Sequence, residues 1–341
     1  MSGYAKTLPA YLGGEPVIDA TLPVSRRWPM MTDAEERAVL EILRDGNIST
    51  HPVIRGLEQD YCRFTGRRRA LAHCNGTAAL LAAFFAAGLG PGDEVLVPSA
   101  TFWASALPML WLGALPVFCE SEPALLGPDP EDVEKKITPR TRAIVLVHLW
   151  GLPCRVDRLL DIAKKHSLKV IEDASHAHGA AWRGRPAGRF GDLSVFSLQG
   201  DKLAPGGEGG VLLCDSDEDF ERAACLGDIH RIARLEGPNR RLAATGFGLK
   251  TRIAPLSAAI ARAQLAALAR NNHNREENIH RLSSRLEALG IDTFSPGAET
   301  RRVYFEFIVR ANPRKTGVPV DALLAALLAE GAQVSAPRYP L

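Results

Sequence analysis

The sequence predicts an α/β fold, in which a mostly parallel sheet lies between helices, with a smaller α+β domain at the C-terminal end. Two observations carry this prediction. Short apolar runs without the alternation of half-exposed strands recur along the chain, and helical segments join several of them. Such runs are typical of strands covered on both faces, as in a parallel sheet packed between helices.

The elements follow from local patterns in chain order. Residues 1–31 are rich in Pro and Gly and predict an extended arm. From Thr32, an N-cap residue followed by acidic residues and apolar positions at helical spacing predicts the first helix, and residues 75–89 predict another. The predicted strands are EVLVPS, LPVFCE, RAIVLVHL, LKVIED, LSVFSL and GGVLLC, with a helix, VDRLLDIAKKHS, between the third and the fourth.

The last third of the chain has a different pattern. Residues 257–290 predict one long helix that ends at Gly290. After it, RVYFEFIVR alternates as a strand does, and VPVDALLAALLAEG has helical spacing. We therefore expect an N-terminal arm (1–31), a large α/β domain (32–256), and a linking helix with a small α+β domain (257–341).

Composition excludes some classes of partner. The 341 residues carry 41 basic and 39 acidic side chains, a formal charge of +2, which provides no field to attract nucleic acid or an anionic membrane. No stretch of 18 uninterrupted apolar residues occurs, and the six cysteines are scattered without a C-x-x-C pair. We expect a cytoplasmic protein with reduced thiols. The basic run Arg67, Arg68 and Arg69 predicts a solvated turn after Gly66.

Ligands of open α/β sheets bind at the carboxyl ends of the strands, so the residues after each apolar run are candidates for a site. Gly76, Thr77 and Ala78 begin a helix, where backbone amides and the helix dipole can bind a phosphate. An N-capped helix with nothing bound is the commoner meaning of these residues alone. Glu172 and Asp173 end a strand, where a carboxylate can face a cationic group.

Three further positions add to this pattern. Phe102 and Trp103 follow a strand, and one of them can stack on a planar ligand, although a core position is favoured for Trp103. His176 and His178 suggest a metal site, but no third ligand has a recognisable spacing, so we predict no metal.

Lys202 lies in the glycine-rich stretch FSLQGDKLAPGGEGG. A single lysine is solvated by default, but next to a phosphate site, a carboxylate and an aromatic ring it can be the amine that forms a covalent imine. Pyridoxal phosphate (PLP) needs all four of these groups.

Several longer motifs point to one family. They are NGTAAL, GPGDEVLVPSATF, PRTRAIVLVHLWG, VIEDASHAHGA, FGDLSVFSLQGDKLAPGGEGG and AAIARAQL. Their order and spacing, from about residue 12 to the end, resemble the DegT/DnrJ/EryC1/StrS aminotransferases, which are fold-type I PLP enzymes. Members of this family act mainly on nucleotide-linked keto-sugars and on keto-cyclitols.

The resemblance assigns roles by position. It implies that Lys202 is the Schiff-base lysine, that Asp173 bonds the pyridine nitrogen, and that His176 reaches the ring hydroxyl. Phe102 matches the aromatic residue that stacks on the ring, and Trp103 is its neighbour. The phosphate cradle matches Gly76, Thr77, Ala78 and Ser197.

The chain departs from the family pattern at two places. Lys250 takes the position of an asparagine that reaches the phosphate bound by the partner subunit, and a lysine can contact a phosphate as a point charge. Relatives continue past the point that matches RYPL, so we expect the small domain to be incomplete. The resemblance also implies a homodimer whose active site lies at the interface.

The expected reaction is a two-stage, ping-pong transamination with glutamate or glutamine as donor and Lys202 as the proton shuttle. The favoured acceptor is a nucleotide-linked keto-sugar, and an inosose-like keto-cyclitol is the alternative. A PLP-binding regulatory protein without turnover is an alternative of another class. Sugar dehydratases of the family replace the lysine by histidine, and a dinucleotide oxidoreductase would need a G-x-G-x-x-G motif; the sequence therefore disfavours both.

Overall fold

The structure is a computed structural model that describes residues 8–18, 28–294 and 296–336. Parts of the predicted arm, 1–7 and 19–27, and the final RYPL lie outside the described residues. The chain divides into two compact units. The sheet unit comprises residues 31–277 and 296–307, and the terminal unit comprises 1–30, 278–295 and 308–341. Neither unit is one continuous stretch of chain, and the domain boundaries proposed at residues 31 and 256 stay a prediction.

A seven-stranded sheet forms the centre of the sheet unit, and its strand order is β1-β9-β8-β5-β4-β2-β3. In chain order the strands of this unit are β1 (Arg69–His73), β2 (Glu94–Pro98), β3 (Leu115–Cys119), β4 (Thr141–Val147), β5 (Lys169–Asp173), β6 (Ala181–Trp182), β7 (Arg185–Pro186), β8 (Leu193–Ser197) and β9 (Gly210–Cys214). Pairing is parallel from β3 through β8, and β9 is antiparallel to both β8 and β1. The mostly parallel α/β sheet is confirmed.

All six apolar runs predicted as strands form strands of this sheet, and most of their side chains are buried. Burial on both faces explains why the sequences of these strands are continuous apolar runs, except for β3, which lies at the edge of the sheet and is mostly exposed or half-buried. β6 and β7 form a separate hairpin, whose strand β6 also pairs with residues 300–301.

The helices of the sheet unit are α1 (Asp33–Asp45), α2 (Val53–Thr65), α3 (Gly76–Ala86), α4 (Pro130–Lys135), α5 (Val156–Lys165), α6 (Asp217–Gly227), α7 (Ile229–Ile232) and α8 (Pro255–Ala288), of which α8 continues into the terminal unit from Asn278. Several of them begin at a side-chain cap, among them α1, α3, α4 and α6. Thr32 and Glu35 form a capping box at α1, which fixes the predicted start of that helix. No helix in the described ranges is long and apolar enough to cross a membrane.

Arg67 corrects the prediction of a solvated basic turn. Its side chain is buried, and the guanidinium donates to the carbonyls of Gly188 and Gly191 and to Asp215. A planar guanidinium can satisfy several acceptors at once, so Arg67 joins the start of β1 to the turn before β8. Arg68 is exposed, as predicted.

The terminal unit contains short elements. They include β10 (Ile291–Asp292), β12 (Arg310–Ala311), α9 (Pro313–Thr316) and α10 (Val320–Ala329), and β10 pairs with β12. The strand β11 (Thr300–Arg301), which lies between β10 and β12 in the sequence, belongs to the sheet unit. The helix predicted for VPVDALLAALLAEG is confirmed as α10.

The strand predicted for RVYFEFIVR is wrong. Residues 302–309, all of which the structure describes, form no strand. Val303 donates its backbone N–H to the carbonyl of Gly151. The two backbones are so close that a Cβ added to Gly151 would lie 2.2 Å from the carbonyl oxygen of Val303. The close approach at Gly151 holds this segment against a loop of the sheet unit and not in a ladder.

Candidate active site

Gly76 and Ser197 meet where α3 begins. A Cβ on Gly76 would lie 3.0 Å from Cβ of Ser197, and a Cβ on Gly210 would lie 2.5 Å from the carbonyl oxygen of Asn75. These glycines therefore let the end of β8 and the start of β9 contact the first turn of α3. The first turn brings together the four predicted phosphate residues, with Thr77 and Ala78 half-buried beside Gly76.

The amide groups of that turn are the anion-binding element. Asn75 is the N-cap, and its side chain accepts the N–H of Ala78 at 2.8 Å. Because this cap already uses the amide of Ala78, Gly76 and Thr77 are the better candidates for a phosphate at the positive end of the helix dipole.

Lys250 is exposed, and the next residue, Thr251, fixes the position of its backbone. The carbonyl of Thr251 accepts the N–H of Cys74 at 2.5 Å, and Cys74 lies two residues before Gly76. The backbone at Lys250 is thereby tied to the strand that enters the phosphate turn of its own subunit.

Asp173 ends β5 at the same edge of the sheet, and its side chain is 7% exposed. One carboxylate oxygen accepts the N–H of Ser175 at 3.1 Å, and the other accepts the hydroxyl of Ser105 at 2.6 Å. The carboxylate is thus held in one orientation, as a residue facing a pyridine nitrogen must be.

Glu172, its neighbour, has a different role. Successive side chains of a strand point to opposite faces, and Glu172 is fully buried against His148 and the backbone amides of Gly188 and Phe190. Burial alone would raise the pKa of Glu172, but these hydrogen bonds lower it below its ordinary value. The structure therefore separates the two carboxylates: Glu172 stabilises the turn before β8, and Asp173 faces the candidate site.

His176 and Lys202 both contact Phe305. The rings of His176 and Phe305 stack with centroids 4.2 Å apart and an interplanar angle of 19°, and Nζ of Lys202 lies 4.1 Å from the Phe305 centroid. Nδ1 of His176 accepts the N–H of Trp150 at 3.2 Å, which places the proton of the neutral ring on Nε2. The structure thus brings the predicted lysine and histidine to one aromatic ring.

Sequence reasoning missed Phe305. It lies more than 100 residues from Lys202 along the chain, in the segment mistaken for a strand. Its only local signal was an aromatic residue in an alternating pattern, which is equally typical of a half-buried strand.

His178 takes no part in a metal site. It is fully buried, its Nε2 lies 2.9 Å from the hydroxyl of Tyr61, and its ring packs 4.6 Å from that of Phe196. Burial lowers the pKa of His178 to about 3, so the ring is neutral. Among the residues described, no group of His, Cys, Asp and Glu side chains is arranged to hold a metal ion.

Phe102 and Trp103 follow β2, and both are exposed, at 42% and 52%. Their ring centroids are 4.9 Å apart. The core position favoured for Trp103 is therefore wrong. A short 3₁₀ turn begins at Trp103, and it directs Ala104 and Ser105 inward and the indole outward.

These residues fit PLP. A buried, hydrogen-bonded carboxylate, a glycine cradle that a Cβ would fill, a lysine and an exposed aromatic ring are the groups that this cofactor needs. All of them belong to the sheet unit.

Several known proteins are similar to this chain over most of its length. The L-glutamine:scyllo-inosose aminotransferase of Streptomyces griseus is 36% identical over 334 residues, which cover 92% of this chain and 78% of that protein. The GDP-perosamine synthase of Caulobacter vibrioides is 39% identical over 255 residues, 74% of this chain and 66% of that protein.

Two solved structures are similar over most of the chain. DesI in the presence of its TDP-sugar product has a TM-score of 0.81 and 31% identity, covering 95% of this chain and 81% of that chain. DesV of S. venezuelae, in complex with a ketimine intermediate, has a TM-score of 0.77 and 33% identity, covering 88% and 78%. The model of the DegT/DnrJ/EryC1/StrS aminotransferase family matches residues 29–340. This chain therefore belongs to that family and is a PLP-dependent aminotransferase.

Proposed function

We propose that this enzyme moves an amino group from glutamine or glutamate to a ketone on a polyhydroxylated ring. The observation that carries the proposal is a set of contacts at the ends of the paired strands β5 and β8, which end at Asp173 and Ser197. Ser197 contacts the first turn of α3, and both His176 and Lys202 contact the ring of Phe305. When bound, PLP supplies an electron sink that makes the proton on the amine-bearing carbon removable.

The residues of the chain divide the work of binding and proton transfer. Asp173 would accept a hydrogen bond from the pyridine nitrogen and keep that nitrogen protonated. Nζ of Lys202 would be the amine that holds the cofactor and the group that moves the proton of the amine-bearing carbon. His176 would donate from Nε2 to the ring hydroxyl, and Phe102 would lie against the ring.

Gly76, Thr77 and Ser197 bind the phosphate. Backbone amides at the start of α3 meet the charge of the phosphate at the positive end of the helix, and the Ser197 hydroxyl is adjacent. Lys250 would add a positive charge at the phosphate of the partner subunit, so the proposal includes a homodimer with its site at the interface. The six thiols are free in the structure, which supports a reducing, cytoplasmic location.

For the acceptor we favour an inosose-like keto-cyclitol and keep a nucleotide-linked keto-sugar as the second candidate. Relatives named as glutamine-dependent scyllo-inosose or deoxy-scyllo-inosose aminotransferases match 92% and 96% of the chain. The keto-sugar candidate is supported by the 39% identity to GDP-perosamine synthase, over 74% of the chain, and by the likeness to DesI. The sequence favoured a keto-sugar as the acceptor, but these comparisons support a keto-sugar no better than a keto-cyclitol.

An acceptor panel tests the proposal. The enzyme is loaded with PLP, converted with glutamine to its amino-bearing form, freed of glutamine, and mixed separately with scyllo-inosose and with nucleotide-linked keto-sugars. We expect scyllo-inosose to restore the visible absorbance of the aldehyde form fastest. Restoration by keto-sugars alone would replace the first candidate by the second. Failure of glutamine and glutamate to convert the cofactor would instead indicate the PLP-binding protein without turnover.

A further inference from the structure

Two hydroxyls lie behind the carboxylate of Asp173. Oγ of Ser105 is 2.6 Å from Oδ2 of Asp173, and Oγ1 of Thr101 is 2.8 Å from Oγ of Ser105. Ser105 is completely buried and Thr101 is 9% exposed. Both residues belong to the segment after β2 that also carries Phe102, and neither was singled out from the sequence.

The direction of this hydrogen-bond chain follows from its last member. An ionised carboxylate only accepts, so the single proton of the Ser105 hydroxyl must point to Asp173. Oγ of Ser105 can then only accept from Thr101, whose proton points the same way. Two hydroxyl donors in series polarise one another and strengthen the bond that reaches the charged oxygen.

The other carboxylate oxygen is fixed separately. Oδ1 of Asp173 accepts the N–H of Ser175, so the backbone and the hydroxyl pair hold the two oxygens from different elements. Loss of the Ser105 hydroxyl would leave Oδ2 without its short hydrogen bond in a nearly water-free place, where stabilisation of charge counts most.

We propose that Ser105, supported by Thr101, is a positioning residue for Asp173, which orients the carboxylate and stabilises its charge toward the pyridine nitrogen. The proposal rests on the proposed function, because it assigns Asp173 to that nitrogen. Ser105 acts through Asp173 and does not touch the reacting atoms. The affinity for the cofactor and the protonation of its pyridine ring would then depend on Ser105, a residue of the segment after β2.

The chain offers a matched control for the removal of a buried hydroxyl. Ser194 is also completely buried, and its hydroxyl donates at 2.6 Å, but to the carbonyl of Gly188. Ser194→Ala and Ser105→Ala therefore remove the same atom at equal burial and equal bond length. Only Ser105→Ala changes a bond to the site carboxylate.

The test measures PLP affinity by absorbance titration, the pH midpoint of the visible band of the holoenzyme, and the thermal midpoint. We expect Ser105→Ala to weaken PLP binding about tenfold, the scale of a hydrogen bond to a charged group. We also expect the pH midpoint to rise, because a less firmly protonated pyridine repels the proton on Nζ of Lys202 less. Ser194→Ala should lower the thermal midpoint and leave PLP affinity and the pH midpoint unchanged.

Thr101→Val extends the test along the chain. It should have a smaller effect than Ser105→Ala alone, and no further effect when Ser105 is already Ala, because the chain is then cut before Thr101 is reached. If Ser105→Ala does not fold, Ser105→Cys, whose somewhat larger thiol occupies the place of the hydroxyl but donates weakly, should give an intermediate loss of affinity.

The outcomes separate this inference from the proposed function. A Ser105→Ala enzyme whose affinity and pH midpoint match those of Ser194→Ala would overturn the inference while PLP binding by the wild type stands. If Thr101→Val had the same effect in the wild type and in the Ser105→Ala variant, the hydrogen-bond chain from Thr101 through Ser105 to Asp173 would also be contradicted. A wild-type protein that does not bind PLP would refute both the proposed function and the inference.

Discussion

Phe305 is a single side chain that contacts two residues of the candidate site. Its ring stacks on His176 and lies 4.1 Å from Nζ of Lys202, so it contacts two residues assigned to the cofactor. A ring face attracts an ammonium group by roughly 0.5–2 kcal/mol. Phe305 therefore limits the positions available to Lys202 when the lysine is charged.

Phe305→Leu should lower kcat/KM for the glutamine half-reaction about tenfold, because it removes the cation–π contact and the stacked ring together but keeps an apolar side chain. Phe85→Leu is the matched control. Phe85 is also half-buried, with a ring at 4.9 Å (Phe247) and a guanidinium at 5.7 Å (Arg222), but it lies outside the site. Equal rates for the two variants, measured by single-turnover absorbance, would remove Phe305 from the site.

Local sequence identifies some candidate site residues and does not identify others. Asp173 and Phe102 were proposed as site residues because ligand residues follow strand ends, a rule that needs only local sequence. Ser105, in contrast, acquires its role from a contact with a residue 68 positions away. Arg67 and Trp103 were misplaced because burial of a charge, or exposure of an indole, depends on partners that the local pattern does not contain.

Among the elements, the first turn of α3 depends on close backbone approach. A Cβ at position 210 would come within 2.5 Å of the Asn75 carbonyl oxygen and 2.7 Å of Cα of Gly76. Gly210→Ala should therefore displace the turn and weaken binding of PLP about tenfold, since overpacking costs about 1–3 kcal/mol.

Gly90→Ala controls for adding a methyl group, because a Cβ at Gly90 would meet no atom within 4 Å. We expect this variant to bind PLP as the wild type does in the same titration. A Gly210→Ala protein with wild-type affinity would show that the α3 turn does not hold the phosphate.

The elements themselves were largely predictable. Five of the six apolar runs form strands that are buried on both faces, which leaves a continuous apolar pattern, and the sixth, β3, is the exposed edge strand. β1 was missed because the first residue of this five-residue strand, Arg69, is also the last residue of the basic run, which predicted a turn. RVYFEFIVR has the period of a strand, but the contact of Val303 with Gly151 holds it elsewhere, and a period alone does not contain that information.

For the whole molecule, the central question is whether two subunits share each site. If Lys250 contacts the phosphate bound by the partner subunit, each site takes its Lys202 from one subunit and its Lys250 from the other. We therefore mix a Lys202→Ala subunit with a Lys250→Ala subunit. A hybrid dimer then contains one site with both defects and one intact site. Equal mixing after dissociation should restore about a quarter of the wild-type activity, because about half of the dimers are hybrids.

Each variant refolded alone is the control for this mixing experiment, and size-exclusion chromatography checks that dimers form. Activity of the mixture equal to the mean of the two variants would show that Lys250 serves its own subunit or no phosphate at all.

The assignment of Lys202 is tested by following the visible absorbance of the PLP-loaded protein as glutamine and then scyllo-inosose are added. We predict that the wild type, and the exposed-lysine variant Lys165→Ala, show a visible band that glutamine removes and the ketone restores. Lys202→Ala should lack both the band and the turnover. A Lys202→Ala protein that keeps the band and cycles with both substrates would contradict the assignment of Lys202 and, with it, the account of this site.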